Sequence, residues 1–298
     1  METVGTFAAA RGRSRGRVGV VPTMGFLHEG HLSLVKAARG ACDTLVVTLF
    51  VNPLQFGPNE DYESYPRDLE RDRGLLEAHD VDVLFAPSLE EMYPVEPKTR
   101  VVVGELDDSM EGLHRPGHLE GVATVVAKLF AGLRPDSAYF GRKDAQQLAV
   151  VGTMARDLSI PVEVVGCPIV REQDGLALSS RNVHLSADQR ERGLGLSRAL
   201  RAAAEAIVRG EREGARLERL VLDVARESDV VLEYCRLSDA AEVRHLASLE
   251  RSAFLAVAAD VDGTRLIDNL HAWVNEGGVV TPEFGIVLEG PSVLYQRS

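Results

Sequence analysis

The stretch from Val18 to Ala41 changes its period midway, and that switch constrains the fold more than any other feature. Val18-Gly-Val-Val21 is a short β-branched run that reads as a buried strand. The turn Pro22-Thr23-Met24-Gly25-Phe26-Leu27-His28-Glu29-Gly30-His31-Leu32 follows, and a helical pattern takes over near Gly30. Strand-like runs recur at Thr44–Val51, Val81–Ala86, Thr99–Val103, Ser137–Phe140 and Val162–Val170. Helical patterns lie between several of them, at about Gly30–Ala41, Asp68–Ala78, Gly121–Leu133 and Asp144–Leu158. Alternation of this kind predicts an α/β protein whose parallel sheet is covered on both faces. Ligands of such sheets bind outside the carboxyl ends of the strands. Pro22–His31, Val51–Phe56 and Gly141–Gln147 each leave a strand there, so one rim is expected to carry all three.

The texture changes near residue 170. Ser186–Arg212 and Leu217–Arg226 have helical periodicity, followed by strand-like runs at Val230–Leu237, Ser252–Val261 and, shorter, Thr264–Ile267. This predicts two domains, residues 1–169 and 170–298, the second small and α+β. The tail from about 270, with Gly277-Gly278, reads as a loose extension or a last irregular strand. Arg11-Gly-Arg-Ser-Arg-Gly-Arg17 reads as a solvated, partly disordered leader.

Composition removes several functional classes. With 45% hydrophobic and 26% charged residues, the chain matches an ordinary soluble protein. No apolar run approaches the ~18 residues that span a bilayer, and no secretory signal core is evident, so a cytoplasmic protein is expected. A net charge of −12 argues against general nucleic-acid binding, which needs a basic footprint. It leaves room for a small anionic substrate in a local positive pocket. Cys42, Cys167 and Cys235 are too scattered for a disulfide framework or a zinc site.

The chemistry gathers in the turns. His28 and His31 are one helical turn apart at a helix start, where unpaired N–H groups and partial positive charge suit a phosphate chain. Asn52-Pro-Leu-Gln55-Phe-Gly57 follows the second strand; Asn52 and Gln55 can orient a substrate there, or merely cap a turn. In Gly141-Arg142-Lys143-Asp144-Ala-Gln-Gln147, Lys143 supplies a point charge for phosphate and Asp144 caps the helix or helps bind Mg²⁺. Gln147 lies one turn further along the same side. Leu178-Ser179-Ser180-Arg181-Asn182 combines two hydroxyls with a guanidinium, which suits a departing pyrophosphate, and its place between the domains suits a closing lid. Asp72 sits in a charged helix and reads as a solvated residue. Arg115-Pro-Gly-His118 is either a pocket edge or a helix lead-in.

Together these motifs resemble the pantoate–β-alanine ligase (pantothenate synthetase) family, in order and spacing, from about residue 18 to Asn269. The resemblance implies a Rossmann-like nucleotide-binding domain, a cytoplasmic homodimer, and an ATP-dependent ligase working through pantoyl adenylate. ATP would fall to Met24, Gly25, His28, His31, Gly141, Lys143, Asp144, Val170, Leu178, Ser179, Ser180 and Arg181. His31 is the family's nominal proton donor, with His28 and Lys143 the other catalytic candidates. Gln55 and Gln147 would hold pantoate, with Gln55 also bordering β-alanine and Asn52 beside it. Mg²⁺ is implied on the phosphates, with Asp72 and Asp144 as candidate contacts. Arg142 stands where the family usually has Glu, Leu119 where Phe is usual, and the tail after Asn269 matches nothing in the pattern. Two other readings are a related nucleotidyltransferase with the same His-x-Gly-His turn and a catalytically silent nucleotide-binding protein. A nicotinamide dehydrogenase is disfavoured, because no Gly-x-Gly-x-x-Gly follows the first strand.

Overall fold

In the computed structural model, residues 1–58, 60 and 62–295 are described. They form two compact units: 1–141 with 150–167, and 142–149 with 168–295. The first unit is built on six parallel strands, β1 (Glu2–Val4), β2 (Val18–Thr23), β3 (Thr44–Leu49), β4 (Val83–Phe85), β5 (Ser137–Gly141) and β6 (Glu163–Cys167). Their order is β1-β4-β3-β2-β5-β6. Chain order runs outward from β2 through β3 to β4, then returns to β2's other side with β5. The direction therefore reverses between β2 and β5, and α/β sheets bind ligands at such a reversal. Residues of β2 and β3 are wholly buried with apolar partners from the helices, including Val21, Leu45, Val47, Val35 and Ala38.

The helices are α1 (Phe7–Arg13), α2 (Glu29–Arg39), α3 (Leu69–Glu77), α4 (Leu89–Met92), α5 (Glu111–His114), α6 (His118–Leu133) and α7 (Ala145–Asp157). The Arg-rich leader is ordered, contrary to expectation. Val4, Phe7 and Ala10 tie it down: β1 pairs with β4, Ala10 is fully buried, and the Phe7 ring lies 4.8 Å from Phe85. The Arg15 N–H donates to Thr44 Oγ1 at 2.8 Å. Apolar residues flanking the arginines, rather than the arginines themselves, decide its state. Thr99–Val103 is not a strand: its Val101 N–H donates to the Thr124 hydroxyl of α6 instead of a ladder partner, and Val102 is exposed. The run expected over Val162–Val170 divides between β6 and the separate β7 (Val170–Arg171).

The second unit adds α8 (Ala187–Val208), α9 (Gly214–Glu227), β8 (Tyr234–Asp239), β9 (Ala253–Val261), β10 (Thr264–Val274), β11 (Val280–Glu283) and β12 (Ile286–Val287). Its antiparallel sheet has the order β11-β10-β9-β8, and β12 pairs with β7. Leu200, Ala203 and Ile207 of α8 and Leu217 and Val221 of α9 share one core with Leu255, Val257 and Leu270 of the sheet. The tail is structured: of its two expected forms, the last strand is met by β11 and the loose extension is corrected. Asn275 Oδ1 accepts the N–H groups of Gly277 and Val279, closing a hairpin that returns β11 against β10. Among the described residues, no helix is long and apolar enough to cross a membrane.

Candidate active site

The turn after β2 is shaped by a carboxylate from α3. Asp72 is fully buried, and its two oxygens accept the Phe26 and Leu27 N–H groups at 2.7 Å each. Arg71 donates to Leu27 O at 2.9 Å and lies 5.0 Å over the Phe26 ring. Phe26 adopts the left-handed backbone region (φ 51°), so external hydrogen bonds are what keep that conformation. Burial pushes the Asp72 carboxyl above its ordinary range, opposed by the Leu27 and Phe26 N–H groups and by Arg71. The sequence suggests a solvated residue or a metal contact; instead Asp72 is committed to the turn.

The two histidines begin α2 as a reciprocal cap. His28 Nδ1 accepts the Gly30 N–H at 3.1 Å, and His31 Nδ1 accepts the His28 N–H at 3.3 Å. The roles of Ser and Glu in an ordinary capping box are thus taken by imidazoles. Because both Nδ1 atoms accept, this network assigns both ring protons to Nε2. The rings lie 4.1 Å apart, so two N–H donors are presented together where the helix dipole is positive. A Cβ on Gly30 would sit 2.8 Å from His28 Cε1, which explains the glycine between them. Thr23 and Gly25 stay buried and Met24 half-buried in this turn.

A second cluster in the same unit follows β3. Asn52 is fully buried and Gln55 nearly so. Asn52 Nδ2 donates to Gln55 Oε1 and to Gly121 O, both at 3.1 Å, while its Oδ1 accepts from the Tyr93 hydroxyl at 2.9 Å. Gln55 therefore has its side-chain oxygen engaged and its amide as the donor. Asn52 orients Gln55 from beneath and has no exposed surface for a substrate. The Gln55 backbone carbonyl accepts from His118 Nδ1 at 2.9 Å, and Arg115 joins His118 Nε2 (3.1 Å) to Glu60 (2.7 Å). Helix α6 crosses so closely that a Cβ on Gly121 would lie 2.1 Å from Leu54 O. Of the two readings of Arg115-Pro-Gly-His118, the structure shows the helix lead-in: Gly117 is the N-cap of α6 and His118 its first residue.

Burial, then Arg115, pushes His118 down to about 4. A depressed histidine contributes stability when neutral, fully present above its ordinary 6.5 and lost as pH falls from there towards 4. Thermal stability is expected to decline across that window, with a smaller decline in His118→Gln. An unchanged pH slope in that variant would remove His118 from the account.

In the second unit, Arg142–Asp144 forms a short turn before α7. Asn269 Nδ2 donates to the carbonyls of Arg142 (2.9 Å) and Lys143 (2.7 Å), fixing the backbone that carries Lys143. Lys143, Asp144 and Gln147 are half-buried. Val170 and Leu178 meet through a 3.0 Å backbone hydrogen bond. Asn182, donating to Glu172 Oε1 at 2.8 Å and Ala177 O at 3.1 Å, anchors the Ser179–Arg181 turn. Gly141 ends β5 of the first unit. Among the described residues there is no group of three or more His, Cys, Asp or Glu able to hold a metal ion. With both Asp72 oxygens occupied, the side chains do not fit a protein-built magnesium cage.

These features define an α/β enzyme whose first unit presents paired imidazole donors at a helix N-terminus, suited to a phosphate chain. The chain belongs to the pantoate–β-alanine ligase family, which matches residues 1–271. It is 53% identical to the pantothenate synthetase of Heliobacterium modesticaldum over 254 residues, 85% of this chain and 90% of that one. A pantothenate synthetase structure from Thermus thermophilus superposes with a TM-score of 0.87 at 51% identity, covering 91% of this chain and 99% of that one. The Francisella tularensis pantoate-beta-alanine ligase, solved in complex with beta-gamma ATP and beta-alanine, gives 0.74 at 33% identity over 90% and 97%. The activity is the ATP-dependent ligation of pantoate to β-alanine, and the nucleotidyltransferase reading is not favoured.

Proposed function

We propose that the ligation runs through pantoyl adenylate. A pantoate carboxylate oxygen attacks the α-phosphorus of ATP, and the bond to the departing pyrophosphate breaks. The β-alanine amine then attacks the acyl carbon, forming the amide and releasing AMP. A carboxylate nucleophile needs no proton removed, so the protein's task is alignment and charge stabilisation. His28 and His31 do the second, their Nε2–H groups meeting charge that grows on the phosphates as the bond to pyrophosphate lengthens. The single observation that carries this reading is the reciprocal imidazole cap, which fixes both donors before substrate arrives.

Met24 and Gly25 serve ATP in the first unit, as does Gly141 at the end of β5. Lys143, Asp144, Val170, Leu178, Ser179, Ser180 and Arg181 serve it from the second. Gln55 and Gln147 hold pantoate, and Gln55 also borders β-alanine. Magnesium comes with the nucleotide's phosphates. The working species is a homodimer, which its mass in solution checks. The decisive assay couples AMP release to each substrate: omission of pantoate, β-alanine or ATP should abolish AMP in every case. A product that retains the adenylyl group would overturn the scheme.

Because Asn52 aims the Gln55 amide, Asn52→Ala is expected to raise the KM for pantoate about tenfold, the loss of one well-placed hydrogen bond. The KM for ATP should stay within about twofold in the same assay. Equal shifts in both constants would show that Asn52 supports the whole unit rather than Gln55.

A further inference from the structure

We propose that Glu283 is a positioning residue for nucleotide binding: by clamping Arg142 it fixes the short turn from which Lys143 projects. This rests on the assignment of Lys143 to ATP. The family match ends at residue 271, and Glu283 lies beyond it. In the β10–β11 hairpin, Glu283 stands directly opposite His271, with Trp273 two residues along the same strand. Arg142 Nη1 lies 2.8 and 3.0 Å from the two Glu283 oxygens, and its guanidinium sits 4.7 Å over the Trp273 ring. Trp273 Nε1 donates to Glu283 Oε2 at 3.0 Å, so the carboxylate is itself held in place. From the other side, the Arg142 carbonyl accepts from Asn269 Nδ2 at 2.9 Å and from His271 Nε2 at 3.3 Å.

The same segment reaches the strand of Val170 and the support of the Ser179–Arg181 turn in this unit. Ile286 pairs in register with Val170, and its N–H donates to Ile169 O at 2.7 Å. The Tyr295 hydroxyl donates to Glu172 Oε1 at 2.9 Å, the oxygen that also holds Asn182 beside Arg181. A lysine is a point charge on a flexible stem, so its reach depends on where its backbone is held. A three-residue turn has few hydrogen bonds of its own, and here external contacts set its orientation. The Arg142–Glu283 pair is partly exposed (side chains 20% and 29%), too open to hold the fold together by itself. Its removal should move the turn and leave the fold intact.

Glu283→Gln, Arg142→Met, the double variant and Lys143→Ala would be compared by steady-state kinetics and thermal melting. Glu283→Gln is expected to raise the KM for ATP about fivefold, with the KM for β-alanine and Tm unmoved. The double variant should be no worse than the worse single, because the two side chains act as one clamp. Should Glu283→Gln lower Tm markedly, Arg142→Met, which leaves the carboxylate and its Trp273 bond in place, decides by the same KM shift. An ATP KM within about twofold of wild type in that deciding variant, while Lys143→Ala raises it, would overturn the clamp. An ATP KM unmoved by Lys143→Ala would be a separate result: it refutes the lysine assignment, and the clamp falls with it.

Discussion

Exchanging His31 for Gln is expected to lower kcat by about 100- to 1000-fold, the cost of losing one fixed donor to developing charge. His31 has two jobs, and this exchange separates them. Its Nδ1 accepts the His28 N–H and completes the cap of α2, and a Gln oxygen at that third helical position can accept the same bond. Its Nε2–H, on a ring 4.1 Å from that of His28, is the donor that Gln cannot replace in direction. Tm should therefore stay within a few degrees and the KM for ATP within about fivefold, while kcat collapses. His31→Ala should lose the same activity and about 1 kcal/mol of stability besides, because the cap goes as well. Equal losses in kcat and ATP binding for His31→Gln would show that the ring matters in the ground state only.

The largest stability effect is expected at Asp268→Ala, about 3–5 kcal/mol, the cost of leaving a buried charge unpaired. Arg171 has no exposed side-chain surface and Asp268 almost none, and they pair through two hydrogen bonds of 2.7 and 3.0 Å. Carbonyls of Phe284, Gly175 and Asn269 take the remaining N–H groups, and the Phe284 ring lies 3.8 Å beneath the guanidinium. Nothing in that cage can neutralise the charge once the carboxylate is gone. Trp273, the single tryptophan, lies in the same unit, so its fluorescence during urea unfolding reports this effect directly. The paired exchange Arg171→Met with Asp268→Leu should be far milder, since it removes both charges together. A shift below about 1 kcal/mol for Asp268→Ala would mean that water reaches the guanidinium.

Much of the architecture was legible because it rests on local period. The runs that became β2, β3 and β5 were apolar beyond ambiguity, and the helical patterns between them were found within a few residues of their ends. Thr99–Val103 is not a strand because a β-branched run alone cannot say whether a neighbouring strand is present, and Thr124 supplies the partner instead. The Arg-rich leader departs from its expected disorder for the opposite reason, since Val4, Phe7 and Ala10 lie outside the charged run. The sequence leaves the tail open between a loose extension and a last strand, because Asn275-Glu-Gly-Gly278 signals a hairpin only when the strand before it is read as far as Val274.

By its order of residues alone, the chain determined a parallel α/β sheet, a helix begun by two histidines, and the family to which those turns belong. Each depends on neighbours in sequence, through period, glycine freedom and capping. Only the tertiary structure decided that Asp72 braces the His28 turn, that Asn52 aims Gln55, and that Glu283 grips Arg142. Those contacts join positions 46, 3 and 141 residues apart, and two of the three span distances at which spacing carries no signal. Even the short one depends on Gly121 and Tyr93, which distant elements bring up to Asn52 and which confine its side chain to one orientation. Packing selects among the roles a polar residue's chemistry permits, and packing exists only once the chain has closed on itself.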